Sequence, residues 1–135
     1  MPACALEVTI ITQQRENTGT KDKPKGMRVL VANEPLAYRE VISAAFKELR
    51  PQMDVHTTEP VDLDKELLRL APGLVVCSRT TVLVEHKAPA WVELYREHTS
   101  GAIVSLAGTK TTFDEMDFGT LLSILDEAEH LCESV

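Results

Sequence analysis

Apolar positions along this chain follow two periods. Arg28-Val29-Leu30-Val31-Ala32 and Leu74-Val75-Val76-Cys77 contain unbroken aliphatic runs, β-branched and too short for a helix. Such runs suit strands buried on both faces in the middle of a parallel sheet. Met53 to Thr57 alternates instead, with Met53, Val55 and Thr57 on one face and Asp54 and His56 on the other. Between these strands the period becomes helical. Leu36, Ala37, Val41, Ile42, Ala44, Ala45, Phe46 and Leu49 recur as the core stripe of a helix opened by Pro35 and stopped by Pro51. Leu63, Leu67, Leu68 and Leu70 form the stripe of a second helix, capped by Asp62 and ended by Ala71-Pro72-Gly73.

Strand, helix, strand, helix, strand with short loops and right-handed crossovers puts the third strand beside the first, order 2-1-3, with helices on both faces. The second half is less regular. Thr80 to Pro89 suits either a short helix or a loop. Trp91 to Tyr95 and Ala102 to Leu106 alternate and are separated by only Arg96 to Gly101. A parallel crossover needs roughly a dozen residues, so these two strands are expected to form an antiparallel hairpin. Thr109 to Glu115 reads as a polar loop, followed by a last helix near Asp117 to Cys132. The fold class expected is α/β: a mixed sheet, doubly wound at first and closed by a C-terminal β-hairpin.

Residues 1–26 differ from the rest. Ala5 to Thr12 could make an edge strand, and Gln13 to Gly26 is polar with the composition of a linker. The chain therefore divides into an extension, 1–26, and an α/β domain, 27–135.

Composition sharpens this picture. Aromatic residues are 4% of the chain, so the core is aliphatic. Net charge is −7; residues 1–26 hold four basic and three acidic groups, leaving ten basic and eighteen acidic for residues 27–135. A body so acidic repels phosphate backbones, which argues against direct nucleic-acid binding. No apolar run approaches the roughly 18 residues of a membrane span, and no signal-peptide layout is present, which points to a cytoplasmic protein. Cys4, Cys77 and Cys132 lack CxxC spacing and are expected to be reduced. The edge strand of the hairpin leaves free backbone donors and acceptors that could pair with another chain or with Ala5 to Thr12.

The stretches RVLVANEPLAYREVISAAFKEL and LRLAPGLVVCSR resemble the first half of bacterial response-regulator receiver domains, over residues 28–79. The resemblance implies a flavodoxin-like sheet and a setting in bacterial signalling or transcription control. Matched position by position, the family's Mg²⁺-holding acidic pair falls on Asn33 and Glu34, with one residue missing, and its phosphate-accepting aspartate falls on Ser78. Its lysine falls around Ala107-Gly108; Lys110 lies beyond, without the family's proline. One glutamate is a poor Mg²⁺ site, and a hydroxyl without an activating base is a far weaker nucleophile than a carboxylate. The expectation is a phosphorylation-independent pseudo-receiver with no metal, cofactor or catalytic residue, acting through a protein partner or as a homodimer.

Other readings attach to particular residues. Asn33, Glu34, Ser78 and Arg79 would cluster at the strand ends, either as a small-ligand site for a nucleotide or anion or as a Glu34–Arg79 ion pair closing that edge. Cys77 is either a thiol nucleophile or a small core hydrophobe, and Ser78 is the other candidate nucleophile. Trp91, Tyr95, Phe113 and Phe118 are the candidate interaction surface. His56, His86, His98 and His130 have no ligand spacing. Gly108-Thr109-Lys110-Thr111-Thr112 hints at a phosphate loop but lacks the full motif, and Asp117-Phe118-Gly119 stands without any other kinase element.

Overall fold

The computed structural model describes residues 26–94 and 101–134. Ala5 to Thr12, most of the linker, Cys4, Tyr95 and His98 lie outside them. The elements are β1 (Arg28–Ala32), α1 (Leu36–Leu49), β2 (Asp54–Thr57), a 3-10 turn (Pro60–Asp62), α2 (Leu63–Leu70) and β3 (Leu74–Cys77). They continue as α3 (Val82–Lys87), β4 (Ala90–Leu94), β5 (Ala102–Leu106), β6 (Thr109–Phe113) and α4 (Phe118–Ser134). Among the described residues, six strands make one mixed sheet in the order β2-β1-β3-β4-β5-β6. The pairs β1–β2, β1–β3 and β3–β4 are parallel; β4–β5 and β5–β6 are antiparallel.

Period-two alternation divides the core into two layers. Val29 and Val31 of β1 face α1 and α4, packing with Ile42, Phe46, Leu121 and Leu125. Leu30 and Ala32 face the other way, onto Leu63, Leu67, Leu70 and Val84 of α2 and α3. Both layers are needed to bury β1 and β3, which is why their sequences are aliphatic without a break. Arg50, at the end of α1, donates to both carboxylate oxygens of Asp126 at 2.7 and 2.8 Å, fixing α1 against α4.

Three expectations need correction. Thr109–Phe113 is not a loop but the edge strand β6. Ala107 and Gly108 carry positive φ of 52° and 89°, the left-handed pair that reverses the chain in two residues with the twist a hairpin needs. β6 is exposed along most of its length, so its sequence carries no apolar face; its only signal is its β-branched threonines.

The core stripe of α1 is the second. Arg39, Ile42, Ser43 and Phe46 are buried, whereas Leu36, Val41 and Leu49 are exposed. The helix carries two stripes with enough apolar groups to face a core, and Phe46 decides between them because it buries far more area. On α2, likewise, Leu68 is exposed while Leu63, Leu67 and Leu70 are buried.

The third concerns the thiols. Cys132 on α4 is disulfide-bonded, whereas Cys77 is free and buried. Sequence spacing says nothing about which thiols the fold brings within bonding reach.

Candidate functional site

The carboxyl ends of β1, β3 and β4 lie side by side, and the chain leaves each of them through a polar residue. Asn33 follows β1 and is fully buried. Its Nδ2 donates to the Leu94 carbonyl at 3.3 Å and weakly to Ser78 Oγ at 3.4 Å. Its Oδ1 is buried with no partner. Ser78, just past β3, accepts from the Glu34 backbone N–H at 2.8 Å and donates back to the Glu34 carbonyl at 3.2 Å. The hydroxyl is thus held by main chain on both sides and acts as a latch between the β1–α1 loop and β3. The Glu34 and Arg79 side chains are exposed. The structure brings Asn33, Glu34 and Ser78 together as the chain order implied, with Arg79 at the rim.

Beside them is a residue that the sequence did not single out. Glu93 of β4 is 9% exposed and pairs in register with Cys77. Its Oε2 accepts from the Thr80 backbone N–H at 3.0 Å and faces Thr80 Oγ1 at 3.4 Å. That hydroxyl also lies 3.0 Å from Glu85 Oε2, so one proton is offered to two carboxylates. Thr81 then caps α3, accepting from the Val84 N–H at 3.1 Å while donating to Asp64 of α2 at 2.6 Å. The signal for Glu93 was there in the pattern: an acid inside a strand that is apolar on both faces is an expensive placement that needs buried donors.

Chemically the edge is restrained. Burial, followed by the charge of Glu93, pushes the Cys77 thiol up to about 12. Its Sγ points to the Val92 carbonyl at 3.7 Å, so it stays a protonated core thiol at neutral pH. The partners of the Ser78 hydroxyl are the Asn33 amide and the Glu34 main chain, and none of these is a base. Among the described residues no group of three or more His, Cys, Asp or Glu could hold a metal ion. The Mg²⁺ implied by the resemblance does not fit, because Asn33 puts an amide where the resemblance has a carboxylate and Glu34 is the lone carboxylate at that position.

No protein-family model, curated protein or solved structure matches this chain.

The remaining candidates fall elsewhere. Trp91 is 3% exposed and packs in the α2/α3 layer, with Lys110 Nζ 5.7 Å from its ring centroid. Phe113 and Phe118 are half-buried against the α1/α4 layer, Phe118 with its ring centroid 5.8 Å from that of Phe46. The sheet therefore separates Trp91 from the two phenylalanines, and these three make no common patch, because alternation sends neighbouring strand positions to opposite faces. Gly108 to Thr112 is a hairpin turn and strand, not a phosphate loop. Asp117 caps α4, its Oδ1 accepting from the Thr120 N–H at 2.7 Å; this bond holds its carboxyl below the usual range. His56 Nε2 sits 3.1 Å from Asp54 and His86 Nδ1 sits 2.9 Å from the Val82 carbonyl. An open groove of about 390 Å³ lies between Leu106-Ala107 and Asp126, Glu127, His130 and Leu131. Leu106 pairs with the first residue of β4, so the groove is at the opposite end of the sheet from Asn33. Among the described residues no helix is long and apolar enough to cross a membrane.

Proposed function

We propose that this chain is a receiver-like regulatory domain that acts by protein contact and does not carry out aspartyl phosphotransfer. One observation carries the reading. Where a receiver holds its acids at the carboxyl ends of the first and third strands, this chain has Asn33 and Ser78, with Ser78 engaged by the Glu34 backbone. The parallel order β2-β1-β3-β4 supports a flavodoxin-like origin for this half of the sheet. A hydroxyl used as a latch has no free lone pair directed at an incoming phosphoryl group, and an amide supplies neither metal ligation of carboxylate strength nor a base. Incubation with acetyl phosphate and Mg²⁺, read by intact mass, should leave the protein without an added phosphoryl group. A stoichiometric gain of one would overturn the reading.

A second reading has one observation behind it: Asn33 Oδ1 is buried without a donor, as it would be if a small ligand supplied one at the strand ends. A thermal-shift series with nucleotides and phosphate tests it. A ligand at about a hundred times its Kd adds about 2.7 kcal/mol of stability; no shift with any of them removes this alternative.

A further inference from the structure

Helix α1 has its chemistry turned partly inside out. Its inner face buries a guanidinium and a hydroxyl: Arg39 is 8% exposed, donating to the Thr58 carbonyl at 3.2 Å, and Ser43 is 5% exposed. Its outer face is apolar over its first turns: Ala37, Val41 and Ala44 run along the exposed centre, with Val41 66% exposed, and the exposed Glu48 ends the row. Exposed single leucines are ordinary, whereas a contiguous apolar patch marks a contact surface. The row from Ala37 to Ala44 is about 11 Å long, and the exposed Leu36, Tyr38 and Leu49 widen it.

The flanks of the stripe say what lies on it. Positions three, four and seven apart share a side of a helix. One flank therefore carries Leu36, Glu40 and Lys47; the other carries Tyr38, Ala45 and Leu49. Glu40 and Lys47 are both exposed. When two copies of a helix pack about a two-fold axis perpendicular to their length, each flank meets its own counterpart with direction reversed. Glu40 then meets Lys47 of the second copy, and Lys47 meets its Glu40. On the opposite flank Tyr38 meets Leu49 in the same register; between them Val41 packs against Ala44, and Glu48 falls beside the first turn of the second helix, where the helix dipole favours an acid. A parallel arrangement instead sets the charged flank against the apolar one and leaves the charges without counterparts. The pattern is self-complementary in the antiparallel arrangement, as an isologous interface requires.

We infer that the outer face of α1 is a homodimerisation surface, formed by antiparallel packing against α1 of a second copy through Val41 and Ala44, with reciprocal Glu40–Lys47 pairs. This deepens the protein-contact part of the proposed function and is independent of phosphotransfer: the mass measurement and the assembly measurement fail separately.

Sedimentation velocity of the full-length chain over a concentration series tests it. The wild type is expected to dimerise reversibly. Val41→Lys places a charge at the exposed centre and should weaken the dimer by about a hundredfold or more, with unchanged stability in denaturant unfolding at protein concentrations where the wild type is also monomeric. Lys47→Glu turns two attractive contacts repulsive and should weaken it by about tenfold, as should Glu40→Lys. Together, Glu40→Lys and Lys47→Glu exchange the charges and should restore wild-type affinity. A monomeric wild type overturns the inference, as does a dimer indifferent to Val41→Lys. A double variant no stronger than the single ones overturns the antiparallel register.

Discussion

The carboxyl edge of the parallel strands and the outer face of α1 lie at opposite limits of burial. At the edge, polar groups are drawn inward: Asn33 is buried with its Nδ2 engaged and its Oδ1 unpartnered, and Ser78 is tied to the Glu34 backbone. On α1, apolar groups are pushed outward, with Val41 and Leu36 in solvent. The first is chemistry converted into structure. The second is material of the kind that makes cores, left on the surface. Residue types alone would place the polar cluster in solvent and the stripe against the core.

The contrast can be broken first where its energy is largest. Phe46→Ala empties the inner face of α1 and should cost about 3–5 kcal/mol, while Val41→Ser on the outer face should change monomer stability by no more than about 0.5 kcal/mol. Denaturant unfolding of both variants checks this; equal losses would mean that the outer stripe is part of the core.

The edge is probed next. Asn33→Asp introduces a buried carboxyl beside the Leu94 carbonyl, where desolvation raises its folded-state pKa above the unfolded value. Such a variant keeps its protonated form cheaply and loses stability as pH rises through the interval between the two values. Chemical denaturation from pH 4 to 8 should therefore show a stability deficit that grows with pH. A pH-independent deficit would mean that the site is open to solvent.

Cys77 offers a kinetic test of the same burial. With a thiol pushed up to about 12, iodoacetamide should leave it unmodified in native protein at neutral pH and label it once unfolded. Rapid native labelling would show the edge to be open.

Asp126 and Asp117 have depressed carboxyls, the first through the Arg50 hydrogen bonds and the second through the Thr120 N–H. Their stabilisation is present above the unfolded-state value, near 3.8, and is lost as pH falls through the lower folded-state values. Asp117→Asn should flatten the acid limb of a thermal-midpoint profile slightly. The smallest change is expected at the hinge of the hairpin. Ala107 holds φ at 52°, so Ala107→Asn ahead of Gly108 should raise stability by roughly 0.5–1 kcal/mol.

These sites also show what could be read from the chain. The paired faces of β1 and β3 were legible because both are buried on both sides, so four or five aliphatic residues in a row have one good use. The short gap from Arg96 to Gly101 made the β4–β5 turn antiparallel on length alone. The cluster of Asn33, Glu34 and Ser78 followed from the sheet order. Glu93 was passed over because its partners, Thr80 and the end of β3, come to it only through folding. β6 was passed over because an exposed edge strand needs no apolar face.

Local pattern, then, determined β1, β3, α1, α2 and α4 and which strands lie at the centre, though neither β6 nor the helix at Val82 to Lys87, since periodicity and length are properties of consecutive residues. Tertiary structure alone decided which stripe of α1 turns inward, which side of the sheet each aromatic joins, and that the Ser78 hydroxyl is occupied. Those outcomes depend on competition between groups distant in the chain for the same buried space and the same hydrogen bonds, and that competition exists only once the layers have packed.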